Sequence, residues 1–302
     1  MKDSVIEMSG VTKEFDSSTA VDALDLSVPR GSVYGFIGPN GAGKTTTVRM
    51  IVGHLHPTGG TVRTLGEDPW LHDEPTMCRV AYVSENMSLP RWMTPRKAVK
   101  YCAGLYPDWD SGLAGRLLSE FDLYGKGRFN TLSKGQKRSV CIVLAVCQGA
   151  DLLVMDEPAA GLDPGARRRF LRRVLEVVCD GARTVFISSH ILGDLERVAD
   201  RIGILRHGSL KLEGELDRLK QDIQKLYLPA PVEEETLSKF FSVVRHEMKD
   251  EGTEAVVRGF DEETYQAFCR KHDCTAGARH YGLNLDDIFV EITGTGTNGD
   301  ET

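Results

Sequence analysis

Gly38-Pro39-Asn40-Gly41-Ala42-Gly43-Lys44-Thr45 follows the apolar run Val33–Ile37, and a helical pattern starts directly after Gly43. This fits G-x-x-x-x-G-K-[ST] in the one context that gives the pattern physical meaning, a buried-type strand, a tight loop and a helix start. The glycines let successive backbone N–H groups curl around an anion, and the positive end of the helix dipole favours phosphate there. A loop of this kind commits the chain to a strand–helix architecture. Short apolar runs return at 152–155 and 184–188, with a helical pattern over residues 164–179 between them. Such strand–helix–strand units predict an α/β fold with a mostly parallel sheet covered on both faces.

Residues 4–8, 21–28 and 33–37 have strand-like composition. A helix is predicted from after Gly43 to about His54. From Asn86 to Gln148 the pattern is mainly helical, with apolar positions at helical spacing through Leu113, Leu117, Leu118 and Phe121, so residues 86–149 read as a helical insertion in the sheet domain. Beyond Leu226 the chain reads as a small α+β domain, with strands at 242–246 and 255–259 and a helix over Glu262–Lys271. Residues 294–302, rich in Gly, Thr and acids, are expected to be disordered. Charge marks the same boundary. Residues 1–225 hold 30 Lys and Arg against 28 Asp and Glu, whereas residues 226–302 hold 7 against 16, a net −9. Pro229 and Pro231 stand beside the change, giving predicted domains 1–225 and 226–302. An acidic module is a poor nucleic-acid surface, so no nucleic-acid partner is expected.

The longest apolar run of note, residues 141–147, is too short to span a bilayer, and no apolar signal region follows the first methionine. These features predict an intracellular protein with, at most, a peripheral membrane role. The seven cysteines include no C-x-x-C pair, which fits reduced, mostly buried thiols better than zinc binding or redox catalysis.

The remaining motifs supply the chemistry. Lys44 is suited to reach the β- and γ-phosphates of a nucleotide, and the hydroxyl of Thr45 is a hard donor for Mg²⁺. Leu152-Leu153-Val154-Met155-Asp156-Glu157 is an apolar strand ending in two carboxylates. Asp156 is suited to hold Mg²⁺, directly or through water, and Glu157 to act as general base on the attacking water. Ser133 and Gln136 fit a capping box, which would present Ser133 and the Gly135 backbone at a helix start.

The order of these parts, with Glu85-Asn86, Leu132-Ser133-Lys134-Gly135-Gln136 and His190 included, resembles the ATP-binding cassette (ABC) ATPases. The resemblance covers about residues 4–220. It implies a P-loop NTPase core that takes ATP and Mg²⁺. Gly38, Asn40, Gly41, Gly43, Lys44, Thr45 and Thr46 would form the phosphate cradle, and Phe15 would stack on adenine. Glu85 stands where most members have glutamine and would join Thr45 and Asp156 at the metal. His190 matches the switch histidine that contacts the γ-phosphate, and Gly161-Leu162-Asp163 matches the D-loop. Ser133, Gly135 and Gln136 form the signature sequence, with Lys134 where glycine is common. In the family that signature meets the γ-phosphate held by the other subunit.

A second ATPase chain is therefore an implied partner, with a homodimer favoured. So is a separate transmembrane permease, met near Trp92 and Met93. Packing inside the helical insertion is the alternative for those two residues. Leu283-Asn284-Leu285-Asp286-Asp287-Ile288-Phe289, followed by Thr293-Gly294, resembles the end of exporter-type cassettes, and Leu105-Tyr106-Pro107-Asp108-Trp109-Asp110 resembles a segment of bacterial exporter cassettes. The implied site of action is the cytoplasmic face of the cell membrane. Two other classes stay open: a soluble ABC protein working on DNA or the ribosome, and a nucleotide-regulated scaffold. One cassette without heptads or zinc spacing disfavours the former, and intact Glu157 and His190 disfavour the latter. The basic run Arg167 to Arg169, with Arg172 and Arg173, reads as a solvated helix face.

Overall fold

The structure is a computed structural model that describes residues 4–16, 18–71, 74–160, 165, 167, 171–172, 175, 183–250, 252–274 and 276–294. The D-loop and most of the helix expected over 164–179 lie outside the described residues, as do 295–302. The chain divides into two compact units, Met1–Leu210 and Lys211–Thr302.

In the first unit, β1 (Ser4–Phe15), β2 (Ser18–Pro29) and β4 (Gly59–Thr64) form an antiparallel sheet in the order β2-β1-β4. A second sheet is built from β3 (Val33–Ile37), β5 (Val80–Val83), β6 (Leu152–Asp156), β7 (Thr184–Ser189) and β8 (Arg201–Arg206). Its order is β5-β6-β7-β3-β8, continued by β9 (Ser209–Glu215), the strand in which the division into units falls. The neighbours β5–β6, β6–β7, β7–β3 and β3–β8 all pair in parallel. Every residue of β3, β6 and β7 is buried, the pattern of strands covered on both faces. Tyr34 and Phe186 stack across the β3–β7 pair with ring centroids 5.5 Å apart, and Phe36 packs 5.4 Å from Phe186. The parallel sheet agrees with the sequence expectation. The separate antiparallel sheet was legible only as strands, because pairing partners far apart leave no local mark.

α1 (Lys44–Ile51) follows β3, and a single turn, α2 (Glu74–Met77), precedes β5. The insertion holds α3 (Pro95–Cys102), α4 (Ser111–Glu120) and α5 (Lys134–Val146). Each starts on a side-chain cap that satisfies an orphan N–H. Thr94 takes the N–H of Lys97 at 3.3 Å, Asp110 that of Leu113 at 2.8 Å and Ser133 that of Gln136 at 3.2 Å. Pro95 at the start of α3 suits its fixed φ. The helical stretch thus begins at Pro95 and not at Asn86, because residues 84–87 form a turn closed by Met87 N–H on Ser84 O at 3.3 Å. Arg167 departs from a solvated face. Its side chain is 16% exposed and pairs with Asp194 at 3.4 Å.

The second unit has an antiparallel sheet in the order β11-β12-β10-β13, from β10 (Gln224–Leu228), β11 (Ser242–Lys249), β12 (Gly252–Arg258) and β13 (Arg279–Gly282). Helices Glu262–Lys271 and Leu285–Thr293 carry caps at Asp261 and Asn284, and the latter ends on Gly294 in the left-handed region. The compositional break near Leu226 falls inside β10, where Leu226 faces Ala255 on one side and His280 on the other. Net charge reports what the surface shows to water, whereas the path of the chain is set by which strands pair.

The core of this unit gathers Leu226, Leu228, Phe241 and Phe268. Phe268 is fully buried and its ring lies 5.3 Å from Phe240 and 6.3 Å from Phe241. Phe268→Ala is expected to cost about 3–5 kcal/mol of this unit's stability, read as a shifted urea transition. ATP affinity should stay unchanged, since no phosphate-binding motif lies in this unit; a parallel loss of ATP affinity would contradict that separation.

Candidate nucleotide-binding and hydrolysis site

Register decides which ends of the sheet meet. Ile37 is opposite Ser189 in the β3–β7 pair, and Asp156 is opposite Ser188 in the β6–β7 pair. The loop after β3, the acid that ends β6 with the one that follows it, and the histidine after β7 therefore stand at the ends of adjacent strands along one edge. Ligands in parallel sheets bind outside the carboxyl ends of the strands, where such loops converge.

The glycine loop leaves β3 with the N–H of Gly38 on Ser189 O at 3.3 Å. Gly43, with φ of 105°, makes the left-handed entry to α1, and a Cβ there would run into the carbonyl oxygen of Ala20. Lys44 is 6% exposed. Its ammonium donates to Gly38 O at 2.7 Å and Pro39 O at 3.1 Å, and lies 3.4 Å from Glu157 Oε1. The loop's own carbonyls thus hold the cation over the loop.

Glu157 adopts φ of 47°, a left-handed conformation that costs an L-residue of order 1–2 kcal/mol. Its N–H donates to Ser188 O and Ser188 Oγ, both at 3.2 Å, and this pair fixes the bend. The bend turns the carboxylate out of the strand line. Oε1 faces Lys44, and Oε2 lies 2.9 Å from His190 Nδ1. His190, with a side chain 39% exposed, is the most open member of the trio.

Asp156 is 1% exposed. Ser188 Oγ donates to its Oδ1 at 2.5 Å, while Oδ2 is buried without a hydrogen-bond partner among the described residues. A buried carboxylate oxygen left over in this way is costly unless something binds it. It suits a hard divalent cation that takes oxygen donors. A cleft of about 380 Å³ opens beside it, lined by Thr45, Tyr82, Glu85, Asn86 and Asp156 among others. The residues expected at the metal, Thr45, Glu85 and Asp156, are thereby brought to one cleft. Burial, with the Asp156 charge behind it, pushes the Tyr82 phenol up to about 12, so it stays a neutral donor at the cleft wall.

Ser133, Gly135 and Gln136 do not line this cleft. They form a complete capping box, with Ser133 N–H on Gln136 Oε1 at 3.0 Å answering the bond from Gln136 N–H to Ser133 Oγ. Ser133 is exposed, so the start of α5 is presented outward. Phe15 is also absent from the cleft lining. It is 45% exposed with Lys13 Nζ 5.2 Å from its ring centroid, hence a surface aromatic and not a core one. Of the pair after the Glu85 loop, Met93 is 8% exposed and Trp92 is 59% exposed. Trp92 edges an apolar groove of about 820 Å³ that also takes in Met87, Tyr101 and Leu105. His54, Tyr82 and Met87 line both groove and cleft.

Ser188, Tyr82 and Arg138 were missed in the sequence. Two serines closing an apolar strand at Ser188-Ser189 are a detectable signal, since a hydroxyl buried there needs a partner. Tyr82 and Arg138 carry no such signal.

The ABC transporter family profile matches residues 21–160. The chain is 30% identical to the daunorubicin/doxorubicin resistance ATP-binding protein DrrA of Streptomyces peucetius, over 96% of this chain and 92% of that protein. It is 30% identical to Nod factor export ATP-binding protein I of Burkholderia lata, over 96% and 97% of the two chains. A solved ATP-binding subunit of an ABC transporter superposes with a TM-score of 0.63 at 30% identity, covering 72% of this chain and 92% of that one. The order of the motifs, their convergence at one sheet edge and these likenesses lead to one assignment: the chain belongs to the ABC transporter family, as one of its ATP-binding, ATP-hydrolysing subunits.

Proposed function

We propose that this chain binds ATP through the Gly38–Thr45 loop, hydrolyses it with Glu157 as general base, and powers export through a separate membrane-spanning subunit. The observation that carries the reading is the Glu157 carboxylate, bent out of its strand and held between Lys44 and His190. There it can take the proton of a water aimed at a γ-phosphate, while Lys44 neutralises the phosphate charge. His190 holds the base in place and can in turn donate to a phosphate oxygen. Thr45, Asp156 and Glu85 would hold Mg²⁺, which when bound supplies charge neutralisation at the phosphates. Phe15, exposed on β1, is available to a purine face.

The signature residues Ser133, Gly135 and Gln136 stand outside their own chain's cleft, which supports their serving the nucleotide of a second, identical chain. The groove edged by Trp92 suits an apolar segment of a permease. Among the described residues no helix is long and apolar enough to cross a membrane, so transport requires such a partner. The relatives' names speak of drug resistance and of Nod factor export, which supports the outward direction. The place of work is then the inner face of the cell membrane.

The test is co-purification of the tagged chain from detergent-solubilised membranes. A multi-spanning protein is expected to come with it, and Trp92→Asp should reduce its recovery without changing ATP binding. Recovery of ribosomes or DNA in place of a membrane protein would move the assignment to a non-transport ABC ATPase.

A further inference from the structure

Glu85 and Asn86 occupy the centre of the turn that Met87 N–H closes on Ser84 O. The same carbonyl oxygen accepts a second bond, from Arg138 Nη1 at 2.8 Å. A carbonyl has two lone pairs and can take both. One helical turn on, Cys141 Sγ stands 3.8 Å from Met87 O. Residues 138 and 141 lie on one face of α5. The Glu85 turn is thus fastened at both ends to α5, the helix that Ser133 caps, in addition to leaving the sheet at β5.

The fastening has a direct effect on Glu85. Holding Ser84 O fixes the peptide plane between Ser84 and Glu85, and with it the N–Cα bond of Glu85, so that only φ and the side-chain torsions of Glu85 are left to aim its carboxylate. The guanidinium is half-buried, and burial lowers its pKa from the ordinary value. Cys141, Glu85, Asp156 and Glu157 act in the opposite direction. Arg138 therefore keeps its charge in the field of the site's own carboxylates while donating to a backbone oxygen. Asp156, by contrast, is positioned by β7 through Ser188. The acids of one cleft are held by two different bodies, the sheet and α5.

We propose that Arg138 is a positioning residue for Glu85. It clamps the Ser84 carbonyl and so ties the reach of the Glu85 carboxylate toward Thr45 and Asp156 to the placement of α5. The inference rests on the reading of Glu85 as a metal-site residue, and the experiment separates the two.

Nucleotide affinity is measured with a fluorescent ATP analogue, across a Mg²⁺ titration and in EDTA, for wild type, Glu85→Ala, Arg138→Met, Arg138→Lys and the double variant Glu85→Ala/Arg138→Met. Alanine is used at position 85 because a glutamine amide oxygen could still ligate the metal. Residues supporting a metal ligand commonly cost 10–100-fold in metal affinity when changed. Arg138→Met should therefore raise the Mg²⁺ concentration for half-maximal binding by about tenfold or more, with affinity in EDTA unchanged. Arg138→Lys, which can still donate to Ser84 O, should recover most of that loss. The double variant should be little worse than Glu85→Ala alone, because both changes remove one interaction. A Mg²⁺ profile unchanged in Glu85→Ala would overturn the metal-site reading itself. A shifted profile in Glu85→Ala with an unchanged one in Arg138→Met or additive losses in the double variant would overturn the positioning role alone. A loss in EDTA as large as that in Mg²⁺, unrelieved by lysine, would reduce Arg138 to a packing residue and also overturn it.

Discussion

Glu157→Gln is expected to lower ATP turnover by about 10²–10⁴-fold while leaving ATP bound. Glutamine nearly matches the shape of the carboxylate, so the bend at φ 47° and the bond to Ser188 O survive. The amide cannot take a proton from water, and that one capability is what changes. Lys44→Ala should fail at the earlier step. Charge-assisted hydrogen bonds are worth about 1.5–3 kcal/mol, so losing the ammonium should weaken ATP binding by tenfold or more. It also leaves Glu157 Oε1 buried with no cation beside it. Nucleotide binding and phosphate release measured on both variants separate the two effects. Near-wild-type hydrolysis by Glu157→Gln would remove the assignment of the general base, and wild-type affinity in Lys44→Ala would remove that of the phosphate cation.

Saturating Mg-ATP is expected to convert Glu157→Gln from monomer to dimer, seen by light scattering as a doubling of mass. A bound triphosphate needs donors on every side, and in the proposed site one chain would offer those of the Gly38 loop, Lys44 and His190. The start of α5 is exposed with its capping box intact, and on the proposed reading it would supply the missing donors to another chain. Blocked hydrolysis keeps the bridging phosphate in place, and a ligand that binds the dimer best shifts the equilibrium toward it. Ser133→Asp tests the contact cleanly. Aspartate is as good a helix cap as serine, so α5 should persist, but its charge faces the partner's phosphate. It should abolish the dimer and leave monomer ATP affinity as it was. A Glu157→Gln protein that stays monomeric in Mg-ATP would make a different cassette the partner.

Several parts of the site could be read without coordinates because their chemistry is local. The glycine loop, the strand ending in Asp156 and Glu157, and the Ser133–Gln136 box each need only neighbouring residues to fix their form. Apolar runs of four or five residues, with a helical pattern between two of them, were enough to announce a parallel sheet. Local pattern was misleading where pairing is distant. β10 and β13 are short and partly polar, and an acidic composition suggested a boundary that β10 runs straight through.

The amino-acid order by itself determined the phosphate loop, the carboxylate pair and the caps, because backbone dihedrals and i to i+3 bonds are settled within a few residues. Tertiary structure alone decided that Ser188 would bind both Asp156 and the Glu157 backbone, and that Lys44 and His190 would flank one carboxylate. It also decided that Arg138 would hold the turn carrying Glu85. Those pairs are 31 to 54 residues apart for the serine and arginine bonds. At such separations the order of strands in the sheet and their register bring groups together, and neither is written in any one stretch of chain.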